Sequence, residues 1–225
     1  MLRYYHYRNL SRAGQAVYRK LAAAICRFYP RVEFGQVGNL QVIVEAVKND
    51  NPHFFHVDWG YILYKAEFHG ARTVVYLHYW IARERAKQYL QKARQMAIPF
   101  AGSKPADAIR KVHDFLALRT RYNKKTVAKD VYLREDHNMI GPLFERIGVC
   151  EGIARAAQFL LREVGVDCTY CCGYVRDAGT GEGGYHAWNL VRVDGKILKM
   201  DVTWDLSDDI KRISRHYFCV PPDAT

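Results

Sequence analysis

No hydrophobic run in this chain approaches the roughly 18–20 residues of a membrane span. Its start, Met1-Leu2-Arg3-Tyr4-Tyr5-His6, also lacks the apolar core of a secretory leader. Both absences predict a soluble protein made in the cytoplasm. Internal repeats and low-complexity segments are missing too, so solenoids and disordered arrays are excluded. Six cysteines, at 26, 150, 168, 171, 172 and 219, do not form a secreted disulfide framework in a chain of 225 residues. Reduced thiols are the expectation. The segment Cys168-Thr169-Tyr170-Cys171-Cys172 has no second pair of ligands to complete a zinc site, and along a strand Cys168 and Cys172 face away from Cys171. These cysteines read as small core residues, and no metal or cofactor is called for.

Charge is unbalanced instead. Lys and Arg number 34 against 23 Asp and Glu, a net charge of +11. That excess admits an anionic partner, whether nucleic acid, an acidic protein or an anionic cell-surface polymer. The basic residues nevertheless scatter through 83–94, 104–129 and 211–215 with no RNA-binding motif and no dense basic tail. A solvated basic surface is the plainer reading. Hydrophobic residues make up 49% of the chain, enough to bury a sizeable core as one domain or as one domain plus a helical extension.

Patterning divides the chain near Ile98-Pro99-Phe100-Ala101-Gly102. Ahead of that linker, Leu10, Val17, Leu21, Ala24 and Phe28 form an apolar helical stripe that Pro30 ends. A second helix is predicted over Gly38 to Asn49. Strands are predicted over Tyr61 to Phe68 and Arg72 to Trp80, joined near His69-Gly70. Ile81 to Met96 reads as a charged amphipathic helix. Residues 1–100 are thus expected to form a helical and β-hairpin extension, and residues 101–225 a catalytic domain. Past the linker, Ile109, Val112, Phe115 and Leu116 mark a helix with Pro105 near its start.

Three short pieces carry the chemistry. Gly148-Val149-Cys150-Glu151-Gly152 opens a helix, because Ile153, Ala154, Ala157, Leu160, Leu161 and Val164 recur at helical spacing and Gly165 follows as a C-terminal cap. Cys150 therefore sits where unpaired amides and the positive end of the helix dipole favour a thiolate and can hold an oxyanion. Tyr185-His186-Ala187-Trp188-Asn189 and Lys199-Met200-Asp201-Val202-Thr203-Trp204 lie on two strands around Asp194-Gly195, a favoured two-residue hairpin turn. With Val193 opposite Lys196, Asp201 becomes the diagonal neighbour of His186 on one face, about 7–8 Å away backbone to backbone. A slip of one residue would separate them. Singly, a cysteine at a helix start, a histidine on a strand and an aspartate have ordinary structural readings. Together they form a thiol, a base and an orienting carboxylate.

The segment from about Asp107 to Tyr217 resembles the transglutaminase-like domain of the papain-like cysteine enzymes. The likeness rests on Gly-Val-Cys-Glu-Gly at 148–152, His-Ala-Trp-Asn at 186–189 and Asp-Val-Thr-Trp-Asp at 201–205, with 36 residues from Cys150 to His186 and 15 more to Asp201. His137-Asn138, Gly141-Pro142-Leu143 and Tyr217-Phe218 resemble a bacterial subgroup. The resemblance implies an α+β, papain-like fold in which the nucleophile's helix packs on an antiparallel sheet. It also implies Cys150 as nucleophile, His186 as base and acid, and Asp201 as orienter. The paired Cys-x-x-Cys motifs of peptide N-glycanases are missing, and nothing outside the core corresponds to the β-domains of animal transglutaminases. Related enzymes place a Gln or Trp upstream of the cysteine as second oxyanion donor, but neither residue occurs between Met96 and Cys150. Tyr122, His137 and Asn138 are the substitutes on offer, with Trp188 a further candidate at the substrate site.

Two function classes follow. One is a cysteine enzyme that acts on a protein or peptide carboxamide or amide through a thioester. The other is a non-catalytic peptide- or protein-binding module that keeps the fold. The intact triad favours the first.

Overall fold

The structure is a computed structural model and describes residues 1–67, 72–128, 133–176, 183–206 and 213–223. Two compact units divide the chain: residues 4–90, and residues 91–225 together with 1–3.

In the first unit, α1 (Tyr5–Arg8) and α2 (Arg12–Cys26) are followed by β1 (Arg31–Gly35), α3 (Leu40–Asp50), β2 (Leu63–Glu67) and β3 (Arg72–Tyr76). Ser11 caps α2 by accepting a hydrogen bond from the Gly14 N–H at 3.1 Å, which satisfies one of the helix's open donors. Leu21 and Ile25 on the α2 stripe and Val47 on α3 are fully buried in a core with Val32, Phe34, Phe54 and Val75. The three strands form an antiparallel sheet in the order β1-β3-β2. β1 had no expectation attached to it: five residues after Pro30 are too short for alternation to stand out. The turn expected near His69-Gly70 lies outside the described residues.

α4 (Arg83–Ala97) leads to the turn at Ile98–Phe100 and then α5 (Pro105–Ala117), where Pro105 occupies the first turn as anticipated. β4 (Arg121–Tyr122), α6 (Lys124–Ala128) and β5 (Ile147–Gly148) precede α7 (Cys150–Glu163). The two short strands pair in parallel, Arg121 with Ile147 and Tyr122 with Gly148.

β6 (Cys168–Arg176), β7 (Gly183–Val193), β8 (Lys196–Met200) and β9 (Phe218–Val220) form an antiparallel sheet in that order. At the β7–β8 turn Asp194 and Gly195 both have positive φ, 47° and 81°, which a type I′ hairpin requires. The register follows: Val193 opposes Lys196 and Asn189 opposes Met200. β8 is shorter than expected. It ends at Met200 because the chain turns at 202–205, with the Asp201 N–H on the Tyr217 carbonyl.

α7 lies on this sheet through Ala154, Tyr170 and Ala187, with Cys150 half-buried against them. Asn189 fixes the distance between the layers by donating to the Ala154 carbonyl at 2.9 Å. The fold of this unit is α+β, with its central helix on an antiparallel sheet. Of the Cys168–Cys172 group only Cys168 lies in the core, whereas Cys172 is exposed. The core expectation therefore fails for Cys172, because the strand runs out of cover toward its C-terminal half. Among the described residues no helix is long and apolar enough to cross a membrane.

Candidate active site

Cys150 is the first residue of α7, preceded by Val149 in extended conformation, and no side chain caps this end of the helix. The loop before it explains the approach. Asp136 accepts from Asn123 at 2.7 Å, from the Thr126 hydroxyl at 2.6 Å and, through its carbonyl, from the Val149 N–H at 3.1 Å. One buried aspartate, through its carboxylate and its carbonyl, thus ties the segment after β4 to the segment before the thiol. Gly152 makes the contact feasible: a Cβ there would lie 2.2 Å from the Asp136 carbonyl oxygen and 2.8 Å from that of Asn138.

His186 meets Asp201 across the hairpin, with Nε2 2.6 Å from Oδ2 in a buried pair. The other carboxylate oxygen accepts the Trp204 N–H at 3.2 Å. The Cys150 thiol is a second hydrogen-bonding neighbour that acts on the imidazole. Burial alone would lower the His186 pKa. The bonds to Asp201 and Cys150 and their negative charges outweigh it and raise the value to about 9. The ring is accordingly an imidazolium at neutral pH. Trp204 stacks on it at 4.5 Å between centroids and 6° between planes. Trp188 is more distant, at 6.1 Å and 24°.

The sequence left three choices for a second donor beside the thiol, and the structure separates them. Parallel pairing with Gly148 brings Tyr122 to the nucleophile, where its hydroxyl hydrogen-bonds both the Cys150 side chain and the Cys150 backbone. Burial, reinforced by the negative charges of Cys150 and Asp201, pushes the Tyr122 pKa up to about 12, so the hydroxyl keeps its proton. His137 and Asn138 are occupied elsewhere. His137 Nδ1 sits 3.0 Å from the Glu151 carboxylate, which also pairs with Arg155 at 2.9 Å. Asn138 accepts the Ile140 N–H at 2.7 Å within its own turn.

Two features of the site carry no signal in the sequence pattern. Lys199, buried on β8, places its Nζ 4.4 Å from the Trp204 ring centroid, 5.1 Å from Trp188 and 5.8 Å from Tyr217. Burial holds its pKa below the ordinary lysine value, against the opposing pull of Asp201. Asp205, also buried, accepts from the Ser214 hydroxyl at 2.9 Å and the Tyr217 N–H at 3.1 Å, and lies 3.0 Å from His113 Nε2. It anchors the segment that follows Trp204. Among the described residues no group of three or more His, Cys, Asp or Glu side chains is arranged to hold a metal ion.

Residues 94–202 match the family model described as the Transglutaminase-like superfamily. The chain carries a transglutaminase-like domain. Two solved structures resemble it. One, a TGase, is 13% identical with a TM-score of 0.46 over 83% of this chain. The other, described as a "putative cysteine protease" from Cytophaga hutchinsonii, is 14% identical with a TM-score of 0.40 over 63% of this chain. The chain spans 54% of the first structure's length and 61% of the second's. No match is found among curated proteins.

Proposed function

We propose that this transglutaminase-like domain is a cysteine enzyme that transfers an acyl group from a protein or peptide carboxamide or amide through a thioester. The observation that carries the reading is the His186 ring, bonded through Nε2 to Asp201 and neighboured by Cys150. An imidazolium with a pKa near 9 stabilises a thiolate beside it and holds a proton ready for the leaving group.

In the first half-reaction the Cys150 sulfur attacks the carbonyl carbon and the carbonyl electrons move onto oxygen. In this reading the Cys150 N–H and the Tyr122 hydroxyl receive that oxyanion, with Tyr122 moving its hydrogen bond from sulfur to oxygen. The C–N bond breaks as His186 Nδ1 gives its proton to the departing nitrogen. In the second half-reaction water or a primary amine attacks the thioester, His186 takes the proton from the attacking atom, and the thiolate leaves. Asp201 holds the ring's tautomer and its positive charge throughout.

The test is incubation with a biotinylated primary amine and glutamine-bearing peptides, comparing wild type with Cys150→Ala. Amine incorporation or released acid that depends on Cys150 supports the reading and distinguishes the two acceptors. A native thiol that resists iodoacetamide at mildly acidic pH, while Cys172 is labelled, would sink it.

A further inference from the structure

Beside the triad opens a cleft of about 800 Å³, within the size range of sites that enclose a ligand. One wall is the stretch from Thr120 to Lys125, and the other is formed by His186 and the turn that carries Trp204. Its charge is one-sided. Arg121, Lys124 and Lys125 line it and are exposed to solvent, and no carboxylate shares the described lining.

Among the described residues, the carboxylates nearest the cleft are engaged in structure. Asp136 is held by Asn123 and Thr126, Asp201 by His186 and Trp204, and Asp205 by Ser214, Tyr217 and His113. This concentrates a small part of the chain's +11 charge beside the thiol. Single exposed ion pairs are weak, but several cations in one concave site act together on binding and encounter rate.

We infer that this cleft selects an acyl donor whose reactive carboxamide is flanked by acidic residues, that is, an acidic peptide segment. The inference rests on the proposed chemistry at Cys150, since that is what makes the cleft a donor site. Trp204 adds a half-buried aromatic surface for the peptide's apolar atoms, and the spread of Arg121, Lys124 and Lys125 along one wall suits charges on successive residues of an extended chain. Nucleic acid would also be drawn to positive charge, but the sequence carries no nucleic-acid-binding motif.

The experiment uses the full chain as Cys150→Ala and dye-labelled peptides carrying a central Gln flanked by Glu, by Gln or by Lys. Fluorescence anisotropy should give at least about tenfold tighter binding of the Glu peptide than of the Gln peptide, with the preference shrinking as salt shortens the Debye length. Lys124→Glu with Lys125→Glu should remove most of that preference and strengthen binding of the Lys peptide. Equal binding of the Glu and Gln peptides overturns the inference. So does a preference unchanged in the double variant, which would place the attraction elsewhere on the basic surface. Displacement of the Glu peptide by a single-stranded RNA oligonucleotide at lower concentration than by unlabelled Glu peptide overturns it in favour of nucleic acid. Iodoacetamide labelling of Cys150 in the wild-type chain is read in parallel. A Glu preference without that labelling would overturn the enzymatic reading while leaving an acidic-peptide site in place.

Discussion

The indole of Trp204 lies parallel to the imidazole of His186, 6° apart in plane and 4.5 Å between centroids. Tyr217 packs against the same indole at 4.8 Å, and the Asp201 carboxylate accepts the Trp204 backbone N–H. The ring is thus held by the residue that orients His186. It shields one face of the imidazole from water, and its π face favours the charged form. A desolvated cation–π contact is worth about 2 kcal/mol, which corresponds to about 1.5 pH units. Trp204→Leu should shift the basic limb of the kcat/KM profile downward by up to about that amount, whereas Trp204→Phe should shift it less. Identical profiles for wild type and Trp204→Leu would remove the indole from the proton chemistry.

Asp201→Asn makes a larger claim on the same limb. Folded His186 has a pKa near 9 because its bonds to Asp201 and Cys150 outweigh burial. Activity that needs the imidazolium should therefore fall as pH rises through about 9. Replacing the carboxylate removes a hydrogen bond and a charge that hold the proton, so the limb should move down toward the ordinary histidine value near 6.5. The rate at neutral pH should drop by as much as roughly 10⁴-fold, as when the same role is lost in a serine protease. An unmoved limb would assign the titration to another group.

Tyr122→Phe tests the oxyanion role separately. Removing one donor from such a site costs roughly 10²–10³ in kcat. The KM for a given peptide should change little, because the hydroxyl turns from Cys150 to the carbonyl oxygen only as negative charge develops there. A rise in KM with kcat intact would instead make Tyr122 a substrate-binding residue.

The sequence pattern made the meeting of His186 and Asp201 legible because its geometry is local. Asp194-Gly195 accepts positive φ at both positions, which fixes the hairpin register and so brings Asp201 diagonally opposite His186. The helix start at Cys150 was equally plain from the stripe behind it. What stayed hidden depends on contacts between distant segments. Tyr122 reaches Cys150 through two-residue strands that are 26 positions apart in sequence, too short for any periodicity to reveal. Trp204 reaches His186 because β8 stops at Met200 and the chain turns back, whereas a strand continued to Trp204 would have kept alternating. The clustering of Arg121, Lys124 and Lys125 beside His186 also joins segments that composition treats as scattered.

Gly152→Ala should be harmful despite alanine's helix preference of about 1 kcal/mol over glycine. The added Cβ would sit 2.2 Å from the Asp136 carbonyl oxygen, a backbone atom with no rotamer to change. Either α7 or the 136–138 loop must move, and both position Cys150. The expected outcome is a loss of about 2–3 kcal/mol in stability, read by denaturant unfolding, together with slower alkylation of Cys150. Unchanged or increased stability would mean that the loop yields easily and that its tight approach is incidental.

His56 supplies a stability prediction in the unit formed by residues 4–90. It is 5% exposed and stacked on Phe28 at 4.3 Å, with Tyr79 at 5.7 Å. Burial pushes its pKa down to about 4, only partly offset by the Ile25 carbonyl. The unfolded chain, with an ordinary pKa near 6.5, binds the proton more readily between pH 6.5 and 4. The contribution of neutral His56 is therefore complete above pH 6.5 and is lost as pH falls toward 4. A difference of that size amounts to about 3 kcal/mol. His56→Phe keeps an aromatic ring in the stack and removes the titration. Hydrogen exchange at the amides of α2 and β3 should show wild type losing protection from pH 6.5 to 4 more steeply than His56→Phe, with the two converging or crossing at the acid end. Parallel pH dependence in the two proteins would show that His56 is not the group whose protonation loosens this core.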